Sequence, residues 1–265
     1  MSTRSSASRS PSVFFLLVFA LCIPIWLLGA ATGIQLLPGL PVSSLIDVSP
    51  VTAALILIYR ENKSAGVTEL LKRSFDFERI KARVWYAPVV LLMPGVTVLS
   101  YGFMRLTGSS VPTPQFPVMA PLVMFIGFFI AGLAEELGWM GYAIDPMQDR
   151  RNALQAGILL GLVWAAWHIV PVVQAGRSLE YIVWQCLFWV ATRVLFVWLY
   201  NNTGKSVFAM AVYHATLNVT WQLFPINGSY YDPRITGLIV AFVAVIVTFL
   251  WRPESLAQYR YARSS

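Results

Sequence analysis

About eight apolar runs make up most of this chain, at residues 13–34, 43–59, 84–105, 117–142, 153–173, 180–200, 206–224 and 235–251. Roughly 17–25 apolar residues form a helix long enough to cross the ~30 Å hydrocarbon core of a bilayer. That core holds no water to satisfy backbone N–H and C=O groups, so such runs fold as helices that bond internally. Charged residues make up only 12% of the chain and hydrophobic ones 57%, against about 25% charged in a soluble domain. The expected fold is all-α: a polytopic transmembrane helix bundle of about eight spans, forming one domain over 13–251. Residues 1–12, rich in Ser and Arg, read as a disordered N-terminal tail, and 252–265 as a cytoplasmic tail. The first run is too long for a signal-peptide core and shows no clear cleavage site.

The basic residues set the orientation. If the N-terminus is cytoplasmic, fifteen Lys and Arg fall on that side: Arg4 and Arg9, seven within 60–83, Arg150, Arg151, Lys205 and three beyond 251. Arg105, Arg177 and Arg234 fall on the other side, and Arg193 lies within a span. Short loops rich in Lys and Arg stay inside, so both termini are expected in the cytoplasm, with the chain multi-pass in a cell membrane. The short charged termini suggest a bacterial plasma membrane. This pattern also accounts for the net charge of +7 without a nucleic-acid partner, and no nucleic-acid motif is present. The one long charged connection, 60–83, carries an imperfect apolar stripe (Val67, Leu70, Leu71, Phe75, Ile80) and reads as an interfacial helix on the cytoplasmic leaflet. Cys22 and Cys186 lie in apolar runs and read as packing residues. Asn201, Asn218 and Asn227 match the glycosylation triplet by chance.

The chemistry-bearing residues lie inside the apolar runs. An ionisable group at the bilayer centre costs at least ~2.5–3.5 kcal/mol and persists where it pairs or does chemistry. Three motifs qualify: Glu135-Glu136-Leu137-Gly138-Trp139-Met140-Gly141-Tyr142, then Trp164-Ala165-Ala166-Trp167-His168, then His214-Ala215-Thr216-Leu217-Asn218. His168 and His214 are the only histidines. Glu135 and His168 are placed symmetrically about the basic turn near residues 151 and 152, so an antiparallel hairpin would bring them level. Asn218 follows His214 by one helical turn and shares its face. The four groups are expected to meet in a polar cavity in the cytoplasmic half of the membrane. A carboxylate beside a neutral imidazole, away from bulk water, is equipped as a general base. A second imidazole with an amide one turn away offers donors to a developing oxyanion. Together these groups could activate water against an amide. No Ser or Thr stands out as a nucleophile, and the zincin motif is absent. Trp139, Trp164 and Trp167 read mainly as packing or interfacial residues. The pairs Gly127/Gly132 and Gly157/Gly161 are expected to permit close helix approach.

The three motifs, in this order and each on its own apolar run, resemble the pattern E-E-x-x-x-R, F/W-x-x-x-H, H-x-x-x-N of the CPBP family of intramembrane proteases (CAAX protease and bacteriocin-processing, or Abi). The likeness covers about 117–220, within a protease core taken as 117–224. It implies an eight-helix glutamate-type endopeptidase that needs no cofactor and acts on peptide or membrane-protein substrates in the bilayer. It implies Glu135 as the principal base with Glu136 in support, His168 holding the water, and His214 with Asn218 at the oxyanion. The family's arginine position is Met140 here. Arg193, deep in the sixth run, is the candidate to replace that charge; the alternative is that it snorkels to the headgroups.

Other readings stay open on the residues alone. Glu135, His168 and His214 could hold a catalytic Zn2+ with one open position. Intramembrane Glu and His could relay protons in a transporter, although no inverted repeat is visible. A catalytically weak member could act as an immunity or binding protein, as the Met140 departure would suggest.

Overall fold

The computed structural model describes residues 9–37, 39–226, 228 and 230–261. Residues 1–8 of the expected N-terminal tail, the triplet residue Asn227 and residues 262–265 lie outside the described residues. Helix α1 (Pro11–Thr32) is capped by Ser10, whose Oγ accepts from Val13 N, and stops at Gly33 in a left-handed conformation. A short antiparallel hairpin, β1 (Gln35–Leu37) and β2 (Leu40–Pro41), leads into a 3-10 turn at Val42–Asp47. Then follow α2 (Val48–Lys72), α3 (Tyr86–Leu106), α4 (Ala120–Gly138), a π-helical turn (Trp139–Ala143), α5 (Ile144–Gln148), α6 (Ala153–Gln174), α7 (Leu179–Asn202), α8 (Val207–Leu223) and α9 (Pro233–Trp251).

The molecule is a multi-pass membrane protein with an all-helical bundle. Seven of its segments are long and apolar enough to span a bilayer. The eighth long helix, α8, has 17 residues and carries His214, Thr216, Asn218, Thr220 and Gln222. It is mostly buried among the other helices, where protein rather than lipid receives its polar groups.

Packing departs from the expected hairpins. Helix α6 packs along α7, and α4 along α8 and α2, so α4 and α6 are not close partners. Side-chain size explains this. A Cβ on Gly161 would lie 2.8 Å from Val190 Cα, so α6 meets α7 nearly backbone to backbone. Between α4 and α6 stand large buried aromatics instead. Trp139 packs edge-on to Trp167 (5.6 Å) and to Phe14 of α1 (5.5 Å). Gly127 also departs from expectation: a Cβ there meets nothing within 4 Å, because it faces an opening rather than a helix.

The connections gather on two faces. On one, Arg9 pairs with Glu61 (3.5 Å), Arg150 donates to Arg9 O, Arg73 to Lys205 O, and Asn201 to Ser255 O. This basic face unites both chain ends with the connections at 60–83, 149–152 and 203–206. On the opposite face, Val42 N donates to Ile34 O and Gln115 N to Pro225 O. The 60–83 connection is less uniform than expected. Helix α2 runs on through a kink at Lys63 (φ 54°) and ends at Lys72, and short 3-10 turns follow. Leu70 and Ile80 are buried, while Leu71 and Phe75 are exposed. Asp76 fastens the segment: its carboxylate accepts from Ser206 Oγ (2.8 Å), Phe208 N (3.0 Å) and Val207 N (3.3 Å), at the N-terminus of α8.

Candidate active site

Glu135 and Glu136 close helix α4, immediately before the π-helical turn. Such single-turn insertions re-aim side chains and recur at functional sites. The two acids are 3% and 0% exposed, and they have different surroundings. Glu136 is fully paired. Arg193 Nη1 donates to its Oε2 at 2.7 Å, and His214 Nδ1 lies 2.8 Å from its Oε1. A carboxylate only accepts, so Nδ1 carries the proton in that bond. Glu135 faces a cavity and receives two indoles on Oε2, from Trp164 Nε1 (2.9 Å) and Trp139 Nε1 (3.3 Å). Its Oε1 lies 3.5 Å from His214 Nε2.

Arg193 is wholly buried and does not snorkel. Besides the bond to Glu136, its Nη2 stands 3.8 Å from Glu135 Oε2. Its guanidinium lies over the rings of Trp164 (3.9 Å) and Phe196 (4.4 Å). A planar, weakly hydrated cation suits two aromatic rings this close far better than an ammonium. The counter-ion of the glutamate pair thus comes from α7.

The cavity holds about 560 Å³ and is lined by Glu135, His168, His214 and Asn218 together. His168 is positioned by its own helix and by α7. Its Nδ1 donates to Trp164 O (2.8 Å), and its ring stacks on Trp189 (4.6 Å). With Nδ1 so occupied, Nε2 is the ring's acceptor. Glu136, placed with the site by sequence, does not line the cavity and reaches it through His214.

Two expectations about the cavity are corrected. Its walls are mostly apolar, with Val123, Met124, Phe128, Phe188 and Trp189 among them. It also does not open on the basic face. Its outer lining comes from the hairpin (Leu36, Gly39, Pro41) and the α6–α7 turn (Ala175, Arg177), both on the opposite face. The depth follows from helix length. Glu135 to Gln148 covers about 20 Å at ~1.5 Å per residue, more than half of a ~30 Å core.

Sequence reasoning undervalued the tryptophans. Trp139 follows Glu135, and Trp164 precedes His168, by one helical turn each, which was the available signal. It also passed over Asp47, a charged residue at the head of an apolar run. Asp47 lines the cavity and leaves the α2 N-terminus without a side-chain cap bond.

Among the described residues, the compact set of possible metal ligands is Glu135, Glu136 and His214, whose donor atoms lie within 4.8 Å of one another. It differs from the expected set in having Glu136 in place of His168. A dication fits poorly here. The guanidinium of Arg193 already occupies Glu136 and stands beside Glu135, and two indole N–H groups cover the oxygen of Glu135 nearest to it.

The motifs have relatives. The family described as Type II CAAX prenyl endopeptidase Rce1-like matches residues 117–220. CAAX prenyl protease 2 of Methanococcus maripaludis is 27% identical over 92% of this chain and 96% of its own length. Lysostaphin resistance protein A of Staphylococcus haemolyticus is 22% identical over 90% of this chain and 66% of its own. With the matched segment running from α4 through the glutamate pair to both histidines, the chain is similar over that segment to the Rce1-like, or CPBP (CAAX protease and bacteriocin-processing), family.

Proposed function

We propose that this protein is an endopeptidase that hydrolyses peptide bonds of membrane-associated substrates with a water activated by Glu135 and His168. The observation that carries the reading is the position of Glu135, a nearly buried carboxylate at the inner end of a cavity that His168, His214 and Asn218 also line. The similarity of residues 117–220 to Rce1-like CAAX prenyl endopeptidases supports the reaction class.

In this reading the water lies between Glu135 and His168 Nε2. Glu135 takes one proton from it while His168 accepts a hydrogen bond from the other O–H. The water oxygen bonds to the peptide carbonyl carbon, and the carbonyl oxygen becomes an oxyanion on the side of Asn218 and His214. The side chain of Asn218 makes no hydrogen bond among the described residues, so its amide N–H groups are free to donate there. Glu135 then returns its proton to the peptide nitrogen as the C–N bond breaks, leaving a carboxylic acid and an amine. Glu136 holds the His214 ring through Nδ1 and is itself neutralised by Arg193. The apolar wall keeps bulk water out, which strengthens each of these interactions.

The test is cleavage of a peptide library by purified protein in detergent, with and without a strong chelator. Loss of cleavage in Glu135→Gln and in His168→Ala, with the chelator without effect, supports the reading. Cleavage by Glu135→Gln at the wild-type rate would rule out a glutamate base. Activity lost to chelator and restored by Zn2+ would favour the metal alternative. Against the inactive, binding-only alternative, which rested on Met140, stands the pairing of Arg193 with Glu136.

A further inference from the structure

We infer that the cavity is reached from the extracytoplasmic side, and that its substrates are membrane-anchored polypeptides cut in the segment just outside the outer leaflet. The inference rests on the proteolytic reading for its substrate and on geometry for its direction.

The direction follows from two independent observations. The first is charge. Fifteen of the 19 Lys and Arg belong to the chain ends and to the connections at 60–83, 149–152 and 203–206, and three to the other connections. The described members of the larger set are knit into one basic face by contacts such as Arg9–Glu61 and Arg73–Lys205. Loops this short and this biased stay in the cytoplasm. The second is the path of the cavity. Starting at Glu135, its lining climbs α4 toward its N-terminus through Ala131, Gly127 and Val123. It climbs α6 toward its C-terminus through His168, Val172 and Ala175. Both directions lead away from the basic face, and the outermost lining belongs to the hairpin and the α6–α7 turn. A cytoplasmic route to Glu135 would instead have to pass the basic end, where Tyr200 joins Arg73 to Asp145 and Lys205 pairs with the same Asp145.

The rim identifies the occupant. Leu36, Leu45 and Val123 line the cavity and are exposed. Val123 continues a strip of exposed apolar side chains on α4 formed by Leu122, Ile126 and Ile130. The mouth thus borders a lipid-facing surface. A chain leaving the outer leaflet can follow that strip into the cavity in extended form, whereas a segment on the cytoplasmic side meets only the basic face.

The experiment has two arms. In the first, single cysteines are placed at the mouth (Leu40→Cys, Ala175→Cys), within the cavity (Val172→Cys) and on the basic face (Lys205→Cys), in a Cys22→Ala, Cys186→Ala background. A membrane-impermeant maleimide is applied to intact cells and to inverted vesicles. The mouth and cavity positions should label in intact cells, and Lys205→Cys only in inverted vesicles. The reverse pattern overturns the inference and leaves the proteolytic reading standing. In the second arm, new N-termini in the membrane fraction are compared between cells carrying wild type and Glu135→Gln. Termini that depend on Glu135 should fall in extracytoplasmic flanks of transmembrane spans. Termini in cytoplasmic flanks or in soluble proteins overturn the substrate assignment. If no Glu135-dependent terminus is found, the proteolytic reading fails and the substrate assignment falls with it, while the labelling arm still decides the direction.

Discussion

The two ends of this bundle use their polar residues in opposite ways. At the basic face polar side chains tie one element to another. Asp76 holds three donors at the head of α8, Arg73 reaches Gly141 O, Tyr200 and Lys205 O, and Asn201 and Asn202 tie the C-terminal segment to α7. Toward the other face the helices part around an apolar cavity, and its polar groups, Glu135, His168 Nε2, Asn218 and Asp47, keep unused hydrogen-bonding capacity. The difference is instructive because buried polar groups ordinarily find partners. At the basic end the polar chemistry is spent on holding the helices in register. In the cavity it is left available for something that binds there. The boundary passes between two consecutive residues, with Glu136 paired on all sides and Glu135 facing the opening.

The largest predicted effect breaks the comparison at that boundary. Glu135→Gln keeps the shape and the indole contacts but removes the base, and cleavage should fall by roughly 10²–10⁴-fold. Thermal unfolding in detergent should change little, since Glu135 has no guanidinium bond as short as that of Glu136. Glu136→Gln should do the reverse, lowering stability first, because Arg193 would lose its closest charge partner. Equal effects of the two substitutions on both readouts would erase the distinction.

Next comes Arg193→Met. Removing one member of a buried, hydrogen-bonded ion pair costs about 3–5 kcal/mol by leaving the other charge uncompensated. Unfolding should occur at a clearly lower temperature, with cleavage reduced in the protein that stays folded. Met140→Arg in the same chain should recover part of both, and Arg193→Lys less, because an ammonium cannot stack on Trp164 and Phe196 as a guanidinium does. Wild-type stability and cleavage in Arg193→Met would show that the pair contributes nothing.

Much of this was legible in the sequence, for reasons that also mark where legibility ended. The apolar runs revealed the spans because a bilayer imposes a length. The three polar motifs stood out because charge inside such runs is costly. Arg193 could be placed level with His214 by counting from the turn between their helices, since both helices are regular there. The failures came from features that counting does not reach. The chain order suggested that α4 and α6 pack together, but Trp139, Trp164 and Trp167 fill that space, and α4 turns to α8. Counting from the basic turn placed Glu135 and His168 relative to it, but which loops line the cavity's outer end is not something counting shows. Asp47 and the two indoles on Glu135 carried only a weak signal, a charge at the head of an apolar run and a one-turn spacing from an ionisable residue. Their importance depends on what faces them across helices.

A smaller effect sharpens the contrast from the basic end. Asp76→Ala removes acceptors from the first turn of α8 and a partner from Arg73 and Arg79. Loss of a cap costs about 0.5–2 kcal/mol, and a negative charge at a helix N-terminus adds a few tenths to that. Stability should drop by about that much, while the cleavage rate of folded protein stays at the wild-type level. A large loss of cleavage at unchanged stability would mean that the basic end takes part in the chemistry.

The smallest change tests where open space ends, five residues apart on the same helix. Gly127 and Gly132 both lie on α4, and sequence spacing treats them alike. A methyl group at Gly127 would meet nothing within 4 Å, because the position borders the cavity. A methyl group at Gly132 would stand 3.0 Å from His214 Cβ and 3.1 Å from its Cγ. That is a few tenths of an ångström too close, and α8 must give way or the imidazole must turn. The ring is held by Glu136 through Nδ1 at 2.8 Å, so a small shift is felt at Nε2, beside Glu135. Gly127→Ala should therefore fold and cleave nearly as wild type, with stability raised, if at all, by less than about 1 kcal/mol from better helix propensity. Gly132→Ala should stay folded, at a cost of about 1–3 kcal/mol for overpacking, and lose cleavage through the rate at saturating substrate rather than through substrate affinity. Displacement of one catalytic group by well under 1 Å is enough to slow a reaction that depends on alignment. If the two alanines behave alike, then His214 is not held at the position its contacts describe, and the cavity tolerates movement where the paired end of the bundle would not.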